Sequence, residues 1–224
     1  MRLLATQLQR RQILVFGLGW LAYASTYFLR KPLGVIKTDL KDKLSVTTTQ
    51  LGWLDTALLL PYAIMQMLLG PIGDKFGARK TFGVCLIASA LSMITFGMWS
   101  QYYMFILLLF LNGTAQAQCW PNCMKSLGAW YPDNVRNSVF GMFGTCAFAG
   151  GIIGTALAVY LQTSQGWRSV FFTPSVIVLV LGVLVLMLFQ QPEEVGIDVP
   201  GKEKTASSTK ASNNVSWMQL WKIP

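Results

Sequence analysis

Gly70–Lys80, GPIGDKFGARK, is a short charged segment set between two long apolar runs, Leu51–Leu69 and Thr81–Trp99. Each run approaches the roughly 20 residues that a helix needs to cross about 30 Å of hydrocarbon. So short a connection forces two spanning helices into an antiparallel hairpin. Gly70, Gly73 and Gly77 let the backbone turn tightly and the helices approach. Lys75, Arg79 and Lys80 place three cations beside the bilayer, which holds a short loop on the cytoplasmic side. Asp74 is the odd member, an anion that can cap the next helix or pair with a neighbouring arginine. A positive-inside loop accounts for the cations, but not for the glycine spacing or for Asp74.

The rest of the chain has the same character. Of its 224 residues 53% are hydrophobic and 12% charged, about half the charge of a soluble domain. The reading is an all-α, multispanning membrane protein whose solvent is the lipid bilayer. The net charge of +9 does not require nucleic acid, because cations at cytoplasmic loop ends give the same surplus. Histidine is absent, which removes the commonest proton shuttle and metal ligand. Cys119 and Cys123 share a helix face, but no other ligand type is near, so packing is preferred over a metal site.

Taken in order, residues 1–11 form a basic N-terminus and residues 12–190 six spans. Helix 1 runs over Ile13–Leu29, and nothing stops it firmly: Pro32 is one weak point, and Leu33–Leu40 can continue it, which would set Arg30 well within the membrane. Helix 2 spans about Gln50–Leu69, helix 3 about Thr81–Trp99 and helix 4 about Met104–Ala129, with a kink at Trp120-Pro121. Helix 5 covers about Ser138–Leu161 and helix 6 about Val170–Gln190. Gly150 and Gly154 on helix 5 suit close helix contact, or else a glycine-lined path. Residues 191–216 read as a polar linker, and residues 217–224 as the approach to a seventh helix. The lysine and arginine bias puts both termini in the cytoplasm.

A cation inside a span costs about 2.5–3.5 kcal/mol on insertion scales, so it suggests function. Arg30 is the foremost candidate, since a guanidinium offers a planar fork of donors matching phosphate; the competing reading is snorkelling to the headgroups. Lys125 either lines the cavity or lies at its mouth. Tyr27 and Tyr62 can donate hydroxyls to a phosphate or sugar, or simply pack. Gln66 is a polar group one turn before Gly70 that can face the cavity. Asp55 is either a helix-start residue or a site residue.

The pattern Gly70-xxx-Asp74-Lys75-x-Gly77-x-Arg79-Lys80 resembles the signature between helices 2 and 3 of the major facilitator superfamily. Together with Tyr27-Phe-Leu-Arg30-Lys31-Pro32, Leu54-Asp55-Thr56-Ala57, Tyr62-Ala63-Ile64, Asn112-Gly113, Trp120-Pro121 and Pro192-Glu193-Glu194-Val195-Gly196, it is similar to the sugar-phosphate exchangers among the organophosphate:phosphate antiporters. The resemblance implies the N-terminal six-helix half of that fold, ending where helix 7 would begin. It implies exchange of a phosphorylated sugar or glycerol for inorganic phosphate by alternating access, without cofactor, metal or covalent chemistry. It assigns the phosphoryl group to Arg30 and matches Lys125 to a lysine of the glucose-6-phosphate member; Tyr27, Tyr62 and Gln66, from their place in the spans, complete the expected substrate-binding residues. The loop residues Gly70, Asp74, Lys75, Gly77, Arg79 and Lys80 become a conformational switch. The helix 2 lysine of several relatives is Gln66 here, and a helix 5 histidine of the bacterial relative falls near Phe148. The second phosphate-binding arginine of the family lies in helix 7, so a C-terminal half or partner chain is implied. An intracellular membrane such as the endoplasmic reticulum is the expected location, rather than the plasma membrane. Two other readings stand beside this one: a non-transporting paralogue that scaffolds or regulates a full-length exchanger, and a facilitator for another organic anion. An enzyme is not indicated, because no histidine, serine–base pair or carboxylate dyad lies in the spans.

Overall fold

The computed structural model describes residues 2–201, with side chains from Thr6 onward except Pro71. Residues 217–224 and most of the 191–216 segment lie outside the described residues. All regular elements among the described residues are helical: α1 (Arg2–Val35), α2 (Lys37–Leu44), α3 (Thr48–Leu68), α4 (Gly70–Phe76), α5 (Ala78–Met98), α6 (Tyr102–Ala117), α7 (Cys119–Trp130), α8 (Asp133–Gln165) and α9 (Ser169–Leu188). A 3-10 turn follows at Glu193–Val195. Five of these, α1, α3, α5, α8 and α9, are long and apolar enough to cross a membrane.

The helix expected as the fourth span is divided. α6 has 16 residues and α7 has 12, with Gln118 between them. Pro121 has no N–H to offer the carbonyl of Ala117, so the ladder opens there. Gln118 closes the gap with tighter bonds to the carbonyls of Ala115 and Gln116, and keeps right-handed helical angles (φ −89°, ψ −9°), so the chain direction carries on into α7. At the site of the expected kink the helix is thus interrupted, three residues ahead of the proline.

Helix 1 extends at both ends. At about 1.5 Å per residue its 34 residues measure about 51 Å, well beyond the hydrocarbon thickness. Pro32 does not end it; the interruption comes at Ile36, after which α2 continues to Leu44. There Ser45 adopts the left-handed conformation (φ 53°) and the Val46 N–H returns to the Leu40 carbonyl at 3.3 Å, a helix-closing turn. α3 starts on a capping box, in which Thr47 and Gln50 exchange side-chain bonds with each other's backbone N–H at 3.3 and 2.8 Å.

The expected loop between helices 2 and 3 is a correction: its first part is the helix α4. Pro71 suits the first turn of a helix, where its missing N–H costs nothing. Gly77, at φ 88°, ends the element and turns the chain into α5. Gly73 faces Asn122 of α7 so closely that a Cβ would fall 1.9 Å from its Oδ1, whereas Gly70 faces open space.

Packing follows the small residues. α1 lies against α8 and α9, α5 against α9, α6 and α7, and α3 against α6. At Gly150 a Cβ would meet the Ala24 carbonyl oxygen at 2.3 Å, and at Gly154 the Phe28 ring at 3.1 Å. These two glycines thus serve the contact between α1 and α8, the packing alternative of the two expected. α5 is the most buried of the long helices and α3 the least, with α8 next to it.

Candidate anion site

Three helices meet at Arg30. It sits on α1 one turn before the helix ends, half-buried. Its guanidinium carbon lies 4.3 Å from the centroid of the Tyr62 ring on α3 and 5.2 Å from that of Tyr27. Both rings offer their electron-rich faces to the cation, worth about 0.5–2 kcal/mol depending on desolvation. The two tyrosines meet the arginine through their rings, a different contact from the expected hydroxyl donors to substrate.

The third helix supplies an acceptor that the sequence reading overlooked. Arg30 Nε donates a short hydrogen bond to Gln116 Oε1 on α6. Gln116 Nε2 in turn donates to Asn112 Oδ1 at 2.9 Å and to Ser89 Oγ, on α5, at 3.0 Å. The Ser89 hydroxyl donates to the same Asn112 oxygen. Ser89, Asn112 and Gln116 are fully buried. One donor of this buried network, Asn112 Nδ2, has no partner among the described residues. Asn112 and Gln116, four apart in an otherwise apolar run, were the signal available in the sequence. Beside them α3 and α6 touch backbone to side: a Cβ at Gly113 would stand 2.2 Å from the Leu58 carbonyl oxygen.

Arg30 Nη2 is buried and has no hydrogen-bond partner among the described residues. A buried unpaired donor costs about 1–3 kcal/mol, and more when charged. The neighbouring Lys31 points elsewhere, with its stem beside Gly151 of α8 and its surface exposed. Tyr23 and Trp120, their ring centroids 4.8 Å apart, pack beside Tyr27 and join α1 to α7.

No hydrogen bond or ion pair links Gln66, Lys125 or Asp55 to Arg30 among the described residues. Gln66 is half-buried one turn along α3 from Tyr62, with no hydrogen bond to the arginine. Lys125 forms a short ion pair with Asp74 of α4, both side chains being more than half exposed. It lies nine residues beyond Gln116, about 13 Å along a helix. Asp55 pairs with Lys37 of α2 at 2.6 Å.

Asp74 therefore neither caps α5 nor pairs with an arginine. About one helical turn from Gly70 carries it towards α7, where it pairs with Lys125. Arg79 instead binds Glu194 of the 3-10 turn at 3.2 Å. Lys75 stands over the ring of Phe76 at 5.6 Å, and Lys80 is exposed. The same end of the bundle is laced further. Arg11 donates to Gln190 at 2.9 Å, Gln12 to the Trp130 carbonyl at 2.7 Å, Trp130 Nε1 to the Gln190 carbonyl at 2.9 Å, and Gln191 to Ser126 at 2.7 Å. These bonds tie the segment after α9 to α1 and α7.

A family model described as "Major Facilitator Superfamily" matches residues 19–224. A protein of Chlamydia trachomatis named "Probable hexose phosphate transport protein" is 29% identical, over 85% of this chain and 41% of its own length. "Sugar phosphate exchanger 3" of Xenopus laevis is 32% identical, over 69% of this chain and 32% of that protein. "Membrane sensor protein UhpC" of Salmonella typhimurium is 28% identical, over 86% and 43%. The chain thus spans less than half the length of these curated relatives. The crystal structure of a bacterial homologue of the human lysosomal transporter Spinster, inward-facing and unoccupied, superposes with a TM-score of 0.74 at 13% identity, over 95% of this chain and 48% of that one. At that identity the likeness speaks for the fold.

Proposed function

The chain belongs to the Major Facilitator Superfamily, and we propose that it forms a six-helix half of a carrier exchanging a phosphorylated sugar or glycerol for inorganic phosphate. Arg30 takes the phosphoryl group. The observation that carries this reading is its buried, unpartnered Nη2, held by a neutral acceptor and two rings in an apolar bundle. None of those neighbours cancels the positive charge, so the site attracts an anion. Tyr27 and Tyr62 set the plane of the guanidinium, Gln66 lies one turn outward, and Lys125 with Asp74 guards the mouth. Relatives named as hexose phosphate and sugar phosphate transporters support the substrate class.

The proposed organisation keeps both termini in the cytoplasm, with residues 1–11, 12–190 and 191–216 as N-terminal segment, bundle and linker. A second half, from the same or another chain, faces α3 and α8, the least buried long helices. Asp74, Lys75, Arg79 and Lys80 belong to the end that closes in one state of an alternating-access cycle. The relative named as a membrane sensor favours a second reading, in which the site binds the anion and reports it without moving it.

Liposomes loaded with phosphate and carrying this chain test both. Counterflow of labelled phosphate that disappears in Arg30→Ala supports exchange. Phosphate binding without counterflow, again lost in Arg30→Ala, favours the sensor. Unchanged binding in Arg30→Ala refutes the assignment of the anion to Arg30.

A further inference from the structure

We propose that Gln116 is a positioning residue that decides which edge of the Arg30 guanidinium meets the oxyanion. The inference rests on the reading of Arg30 as the anion-binding group. A guanidinium can hold two oxygens along either of two edges, one formed by Nη1 and Nη2, the other by Nε and Nη2. Gln116 Oε1 accepts the Nε hydrogen and so occupies the second edge. With Nε taken, only the first edge can still hold two oxygens; Nη2, which both edges share, is the donor without a partner.

Gln116 cannot turn away from this task. Its Nε2 spends both hydrogens, on Asn112 Oδ1 and on Ser89 Oγ. Reversing the carboxamide would set its NH2 group against the donors of Arg30 and its oxygen against Asn112 Oδ1. Gln116 and its two supports, Ser89 and Asn112, are closed to solvent, so no bulk water competes for their bonds. The Tyr62 ring, 4.3 Å from the guanidinium carbon, restricts rotation of the fork about Nε. The neutrality of glutamine matters as much as its shape. A carboxylate at 116 would hold Nε equally well but would cancel the charge that the anion needs.

The test uses the whole chain in detergent with 15N-labelled arginine, the Arg30 Nε–H signal being assigned by its loss in Arg30→Lys. Two quantities are read: exchange of that hydrogen with water, and affinity for inorganic phosphate. Wild-type exchange is expected to be slow. Gln116→Met, of similar length but without an acceptor, should speed exchange about tenfold or more and weaken phosphate binding about tenfold, as loss of one charge-assisted bond implies. Gln116→Glu should keep exchange slow while weakening phosphate by about 100-fold. If Gln116→Met does not fold, Ser89→Ala removes one support and should still speed exchange about threefold. A side chain that only fills space would lower stability in these variants and leave Nε–H exchange at the wild-type rate; that result overturns the proposal. Absence of phosphate binding in the wild type, with slow exchange retained, refutes the anion reading, and the edge assignment falls with it.

Discussion

Replacing Gly150 by alanine probes the contact that seats α1 against α8. The new methyl would lie 2.3 Å from the Ala24 carbonyl oxygen, 2.9 Å from its Cα and 3.0 Å from its carbonyl carbon. All three are backbone atoms, so no rotamer change relieves them, and the helices must part by about 1 Å to reach ordinary contact. Overpacking of this kind costs about 1–3 kcal/mol, and the rigid neighbour points to the upper end. Gly144 on the same helix faces open space and provides the reference, because Gly144→Ala gains the same helix propensity, about 0.5–1 kcal/mol. The difference between the variants therefore isolates the clash. With about 2–4 °C per kcal/mol for a chain of this size on the soluble-protein scale, Gly150→Ala should melt about 6–12 °C below Gly144→Ala. Gly154→Ala, with contacts of 3.1–3.3 Å, should fall between them, and Gly151→Ala, with one contact of 3.5 Å to the Lys31 stem, should behave like the reference. The assay is thermal unfolding in one detergent followed by tryptophan fluorescence. Equal melting of Gly150→Ala and Gly144→Ala would refute the account of how α1 and α8 meet.

Two further outcomes follow from the charged groups. Lys125→Ala and Asp74→Asn should each change stability by less than about 1 kcal/mol, since both partners are exposed; a double-mutant cycle on melting temperature checks this, and a coupling well above that value would contradict the exposed placement. The Asp39 carboxyl is held below the usual carboxylate range by its bond to Lys43 and then by that from Gln162. Its folded value is depressed, so its contribution is present above the ordinary aspartate pKa near 4 and is lost as pH falls through the lower folded value. Melting temperature measured from pH 6 down to pH 3 should therefore drop less steeply in Asp39→Asn than in the wild type.

The spans were legible because hydrocarbon imposes long apolar runs, and the Gly70–Lys80 pattern added family and connection. Arg30 stood out because a cation in such a run is costly. Its surroundings were less visible, because Gln116 lies 86 residues away in sequence and pairs with it only once α6 is docked on α3 and α5. The partner of Asp74 was missed for a local reason: a glycine-rich stretch reads as an open turn, yet Pro71 and the wide turn at Gly77 leave room for two turns of helix that aim Asp74 at α7. Similarly, the kink was expected at Pro121, but the consequence of a missing N–H is felt one turn earlier, at the carbonyl left without a donor.

That interruption at Gln118 divides the expected fourth span into two lengths with different partners. α6 is committed to α3 and Arg30, while α7 is committed to Asp74, to α1 through Tyr23 and Trp120, and to the segment after α9, with α5 running beside both. With 12 residues, α7 is a lever about 18 Å long. A tilt of about 10° about Gln118 would carry Trp130 through about 3 Å, enough to exchange every hydrogen bond it makes there. The opened ladder lowers the stiffness against that tilt at the one residue between the two anchorages. Strain arising at either end of this span is thus concentrated at a single joint, leaving the helical segments on both sides intact.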